Sequence, residues 1–77
     1  MYGWKIDQDL LDGEANGVRA GMPVPDGAGE TFELYDDDEN LVARGRIVGE
    51  YDGFEPLDDY GEAMWGCTAI KYAGKWL

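Results

Sequence analysis

Tyr2, Trp4 and Ile6 alternate with Gly3 and Lys5, a period of two that predicts an N-terminal strand with its aromatic face turned inward and its end near Asp7. The same alternation returns in Thr31 to Tyr35, where Phe32 and Leu34 share one face. In Leu41 to Val48 it sets Leu41, Ala43, Gly45 and Ile47 against Val42, Arg44, Arg46 and Val48. Between these two runs lies Asp36-Asp37-Asp38-Glu39-Asn40, a polar stretch of a length and composition that closes an antiparallel hairpin. Thr68, Ile70 and Tyr72 mark a last main strand. Ala73-Gly74 then offers a tight turn, after which the C-terminus folds back as a short strand or packs Trp76 on the sheet.

Elsewhere punctuation dominates. Asp12 to Gly29 holds Asp12-Gly13, Asn16-Gly17, Asp26-Gly27 and Pro23-Val24-Pro25, which predicts turns and loop, with Val18 to Met22 compatible with a short edge strand. Gly49 to Gly66 contains Asp52-Gly53, Pro56, Asp58-Asp59 and Gly61, so a continuous helix is disfavoured there, although Leu57 to Met64 has room for a turn or two. The expected object is a mainly β domain over residues 1–77. It has a small antiparallel sheet of four or five strands with room to curl, long loops and at most one short helix. Its core is drawn from Trp4, Ile6, Phe32, Leu34, Leu41, Ile47, Ile70 and Trp76. On the other face Arg44 and Arg46 can pair with Glu33 or a neighbouring acid.

Seventy-seven residues fit one domain with a thin core. No run approaches the eighteen or so apolar residues of a membrane span, and Met1 to Asp9 has no apolar stretch typical of a secretory signal; the expected address is the cytoplasm of a host cell. Charge changes the picture most. Seventeen acidic side chains face six basic ones, a formal net charge of −11 that repels nucleic acid and anionic lipid. A basic protein face is instead attracted and steered, the more strongly the lower the salt. The competing reading is an acidic surface kept for solubility or adapted to a salty cytoplasm.

Chemistry that transforms a substrate finds little to work with. The chain has no histidine and no serine, and its one cysteine, Cys67, lies between Gly66 and Thr68 in an apolar stretch, which reads as a small buried hydrophobe. Asp36, Asp38 and Asn40 have the alternate spacing with which an EF-hand loop begins. The sixth position, however, is Leu41 rather than glycine and the twelfth is Ile47 rather than glutamate, so no specific calcium site is predicted. The glycines form no phosphate-binding signature, and the aromatics lack the basic groove that accompanies a nucleic-acid stacking platform. The expectation is a binding protein without enzyme activity or cofactor.

Three acidic clusters are candidates for the binding surface: Asp7, Asp9, Asp12 and Glu14; Asp36, Asp37, Asp38 and Glu39; and Asp52, Glu55, Asp58, Asp59 and Glu62. Tyr60 and Trp65 lie among the third, where they either pack over an open sheet edge or anchor an interface. The residues chosen as partner-binding are Asp36, Asp37, Asp38, Glu39, Glu55, Asp58, Asp59, Tyr60, Glu62 and Trp65. Spread over every face, the acids merely solubilise; gathered on one face, they compete for a basic nucleic-acid channel.

Phe32-Glu33-Leu34-Tyr35-Asp36-Asp37-Asp38, Phe54-Glu55-Pro56-Leu57-Asp58-Asp59-Tyr60-Gly61 and Gly66-Cys67-Thr68-Ala69-Ile70-Lys71-Tyr72 look like segments of small proteins of phages and mobile elements. Trp4-Lys5-Ile6 and Gly74-Lys75-Trp76 extend the resemblance over most of the chain. Small acidic proteins of this type are similar to anti-CRISPR inhibitors, several of which block target-DNA binding by a multisubunit effector. The resemblance implies a stoichiometric inhibitor that mimics DNA. It also implies a partner, the basic DNA-binding face of the backbone subunit of a type I CRISPR effector.

Overall fold

Alternation becomes sheet at every position where it was clear. The computed structural model describes all 77 residues, with strands β1 (Tyr2–Asp9), β2 (Arg19–Gly21), β3 (Glu30–Tyr35), β4 (Leu41–Gly49), β5 (Ala69–Tyr72) and β6 (Lys75–Trp76). All pair antiparallel in one unclosed sheet of order β2-β1-β4-β3-β5-β6. The count exceeds the expected four or five because both short edge segments pair. No helix is long and apolar enough to cross a membrane.

The hairpin between β3 and β4 closes with a turn on Asp36 (Glu39 N–H to Asp36 O, 3.1 Å) followed by Glu39 in the left-handed region at φ 62°. This is the three-residue loop in which a type I turn runs into a left-handed residue. Asp36 stabilises it from its side chain: Oδ1 accepts from the N–H of Asp38 and of Asn40, and Oδ2 from the Asn40 amide at 3.2 Å.

Two bulges reassign faces. Between Leu34 and Tyr35 the register with β4 jumps from Ala43 to Leu41, so Val42 is the extra residue. An inserted residue inverts the alternation beyond it. Val42 therefore enters the core at 2% exposure, and Leu41, expected there, is only half-buried. In β1 the register with β4 jumps between Ile6 and Gln8, leaving Asp7 unpaired, and the strand continues past its expected end to Asp9, which faces Ala43.

One face of the sheet is covered by a helical segment, α1. It opens as a wide π-helical turn (Leu57–Gly61) and closes as an α-helical turn (Glu62–Trp65) capped by Gly66 in the left-handed region. The breakers do not prevent it. Pro56 is helical and lies within the first turn, which the Asp58 N–H closes onto Phe54 O at 2.9 Å, so its missing N–H leaves no helical bond unmade. Gly61 lets the backbone lie on the sheet: a Cβ there would sit 3.1 Å from Leu34 Cδ1. The core joins Trp4, Ile6, Phe32, Leu34, Val42, Ala43, Ile47 and Ile70 of the sheet to Leu57 and Cys67. Trp76, also expected in the core, is 46% exposed, because β6 is a two-residue edge paired opposite Lys71.

The opposite face is partly crossed by the loop from Met22 to Gly29. Its backbone lies so close to Gly3 that a Cβ there would overlap the main chain of Met22. Arg46 fastens the loop: its guanidinium donates to Pro25 O at 2.9 Å and Ala28 O at 3.2 Å while holding Asp7 at 2.7 and 2.8 Å.

Candidate functional site

The antiparallel register brings three chain segments to one end of the sheet. β1 ends there at Asp9, β4 begins there, and β3 ends there at Tyr35, whose carbonyl accepts from Thr68 N at 2.9 Å. The Asp9–Asn16 loop, the Asp36–Asn40 turn and the C-terminal turn of α1 are therefore neighbours. The chain thus gathers Asp12 and Glu14, Asp37, Asp38 and Glu39, and Glu62 toward the same end, while Asp59 of the third cluster reaches back to Tyr2 at the other end of β1.

Between the first loop and α1 lies a cleft of about 380 Å³. Leu11, Ala15, Tyr60, Met64 and Trp65 supply its apolar wall, and Asp9, Asp12 and Glu14 its acids. Leu11 is 61% and Met64 60% exposed, large apolar groups on a very polar chain. The rings of Tyr60 and Trp65 meet edge to face, with centroids 5.0 Å apart at 84°, and Tyr60 rests in turn on Trp4 at 5.7 Å. Both rings are half-buried. Both rings pack against the core, as one of the two sequence alternatives expects, and both also line the open cleft.

The floor of the cleft is rigid because Asp9 builds it. This side chain, 7% exposed, accepts from Leu11 N at 2.9 Å and Ala15 N at 3.1 Å, while Asn16 Oδ1 accepts from Asp9 N. Burial pushes the Asp9 carboxyl up, but the hydrogen bonds from Leu11 and Ala15 outweigh it and leave the group below the usual carboxylate range. Asp12 Oδ1 accepts from Glu14 N, which shapes the rim.

Cations are segregated by sheet face rather than by end, since Lys71 Nζ lies over the Tyr35 ring, 5.0 Å from its centroid. The register places Arg19, Lys5, Arg46 and Thr31 in one row across the open sheet face, and Gln8, Arg44, Glu33, Lys71 and Trp76 in another. Five of the six basic residues thus share the face away from α1, and Lys75 lies across from Tyr72 at the far edge. Three of the seventeen acids are neutralised by ion pairs, Asp26 with Lys5, Glu33 with Arg44 and Asp7 with Arg46, and the other fourteen have no cationic partner.

The ten chosen residues divide. Asp37, Asp38, Glu39, Asp58 and Glu62 are exposed, and Tyr60 and Trp65 line the cleft. Asp36, Glu55 and Asp59 are turned to structural use. Asp36 closes its turn, and hydrogen bonds from Asn40 and Asp38 hold its carboxyl below the usual range. Glu55 accepts from Asp52 N and Gly53 N at 2.8 Å, well away from the cleft. Asp59 binds two aromatic side chains of β1. The sequence reading placed Asp12 and Glu14 in an acidic cluster without choosing them as partner-binding, and it passed over Leu11 and Met64. The signal available was Asp9-Leu10-Leu11-Asp12, two apolar residues between acids in a turn-rich loop with no strand pattern to bury them.

Asp36, Asp37 and Asp38 bring one oxygen each within 4.8 Å of one another. Both Asp36 oxygens are already acceptors inside the turn, which leaves it poorly available as a ligand. Comparison of the chain with protein families, with curated proteins and with solved structures finds no match.

Proposed function

We propose that the acidic end of the sheet is a docking face for a basic protein surface, and that the protein acts as a stoichiometric inhibitor by occupying a site that nucleic acid otherwise fills. The observation that carries this reading is the gathering of acids from three segments at one end of the sheet, beside a cleft whose own acids are Asp9, Asp12 and Glu14, with five of six cations on another face. Acids kept only for solubility need no such segregation. The molecule measures 30 × 25 × 20 Å, so a face of it covers about 15 phosphates of duplex at one per ~1.7 Å. The exposed aromatic and apolar groups supply what a purely charged mimic lacks, an anchor that excludes water at the centre of the contact.

The resemblance to anti-CRISPR inhibitors names the partner to test first: the DNA-binding face of the backbone subunit of a type I CRISPR effector, in the cytoplasm of a host cell. The tagged protein is used to capture effector from a lysate, and target-DNA binding by the purified effector is followed by gel shift at low and high salt. Capture with loss of DNA binding, weakened as salt rises, supports the proposal. Failure to capture the effector, or capture with DNA binding intact, removes inhibition of this effector; capture of a different basic protein in its place leaves a docking face with another target.

A further inference from the structure

We infer that the cleft between the Asp9–Asn16 loop and α1 is a side-chain pocket that receives an arginine of the partner protein. The inference rests on the docking-face reading and deepens it by naming the anchor. At about 380 Å³ the cleft falls in the ~300–1,000 Å³ range of sites that enclose small groups. It is too polar for an aliphatic guest and too apolar for a bare ion, since carboxylates and hydrophobic side chains share its wall.

An arginine side chain matches both halves. Its methylene stem covers Leu11 and Met64, which otherwise stay in water at 61% and 60% exposure. Its planar head stacks on an aromatic face, and Tyr60 and Trp65 stand at 84° to each other, so their rings form a corner. Its forked donors suit carboxylates at the rim, where Glu14 has no hydrogen-bond or ion-pair partner and Asp12 has an oxygen not engaged by Glu14 N. Lysine offers the charge without the plane or the fork. No cation of this chain enters the cleft, because the basic residues lie on the open sheet face and its far edge.

The test uses the full chain labelled with ¹⁵N and titrated with N-acetyl-arginine methylamide, which presents the side chain on a neutral backbone. Saturable shifts are expected at the Trp65 indole N–H and at the amides of Leu11 to Ala15, with a Kd on the order of 1 mM. The blocked lysine analogue should bind about threefold to fivefold more weakly, and blocked citrulline, of the same shape without charge, should give no saturation. Asp12→Asn with Glu14→Gln should weaken the arginine probe about tenfold while leaving the amide spectrum of the sheet unchanged. Shifts spread equally over Asp37 to Glu39 and Asp52 would overturn the proposal, as would equal binding of arginine and citrulline. Loss of the probe site with partner capture intact sinks the pocket alone. A working pocket in a protein that captures no basic partner sinks the docking reading instead.

Discussion

The indole Nε1 of Trp4 donates to Oδ2 of Asp59 at 3.0 Å, joining the most buried aromatic of β1 to an acid on the first turn of α1. The Tyr2 hydroxyl donates to the same oxygen at 2.7 Å, and this hydrogen bond is the chief reason its pKa is raised. One carboxylate thus ties the helical cover to the sheet; Asp58 beside it is exposed like Asp59 but makes no side-chain hydrogen bond.

Asp59→Ala leaves the Trp4 indole N–H unpaired in a largely buried setting and should lower stability by about 1–3 kcal/mol, whereas Asp58→Ala should change it by less than about 0.5 kcal/mol. Urea unfolding of the two variants reads the difference. Equal effects would mean that the tether contributes nothing. The contrast also separates stability from binding, since charge reversal at Asp58 probes the surface and at Asp59 disrupts the fold.

Gly3 is the position at which the sheet tolerates least. Its missing Cβ is what allows the Met22 main chain to cross β1, so Gly3→Ala should displace the Met22–Gly29 loop and destabilise by about 1–3 kcal/mol. Hydrogen exchange should show the loss first in β2 and in the loop. A variant as stable as the parent, with unchanged exchange there, would show that the crossing is loose.

Burial pushes the Cys67 thiol up to about 11, with the negative field of Asp36 adding to it. The residue is 2% exposed. At pH 8 its reaction with a disulfide reagent should be slower than that of a free thiol by about a hundredfold or more, and should reach the free rate in denaturant. Rapid native labelling would place the thiol at the surface and reopen a chemical role.

Asp9 and Glu55 give the acid limb of stability its shape. For each, burial raises the carboxyl and backbone N–H groups lower it further, so the folded pKa lies below the unfolded one. Such groups stabilise fully above the unfolded value near 4, and their contribution is lost as pH falls through the folded value. Asp9→Asn should therefore be less stable than the parent by about 1–3 kcal/mol at pH 7, the gap narrowing below about pH 4. Taking the difference between the two proteins cancels the relief of general repulsion on acidification. A gap that stays constant to pH 2 would remove the carboxylate from the account.

The strands were legible because one face of each is buried and the period of two survives in the residues. The two bulges were not, since an extra residue in β4 is decided by pairing with β3, and Leu41 and Val42 are equally apolar. α1 was obscured for a similar reason. Pro56, Asp58 and Gly61 disfavour a free helix, but the segment is held by the sheet beneath Leu57 and Gly61 rather than by its own propensity. At the candidate site, Tyr60 and Trp65 stood out as aromatics among acids. Their partners Leu11, Asp12 and Glu14 lie some fifty residues away in the chain and meet them only through the register of β1 with β4.

Asp37 and Asp38 provide the cleanest test of the proposed docking face, because neither side chain bonds within the hairpin turn and both are exposed. Asp37→Lys with Asp38→Lys changes the local charge by four without touching the carboxyl of Asp36 that closes the turn. Stability should shift by less than about 1 kcal/mol. Association with the basic partner should slow by about tenfold or more at low salt, with dissociation changing less, because the charges of a rim steer encounter more than they hold the complex. The dependence of association on salt should flatten in the variant. Glu50→Lys with Asp52→Lys, which also changes the charge by four at exposed acids outside that end whose carboxylates accept no hydrogen bond, provides the control for net charge alone. If it slows association as much as the hairpin variant does, the acidity acts as a diffuse field and the end of the sheet loses its special role.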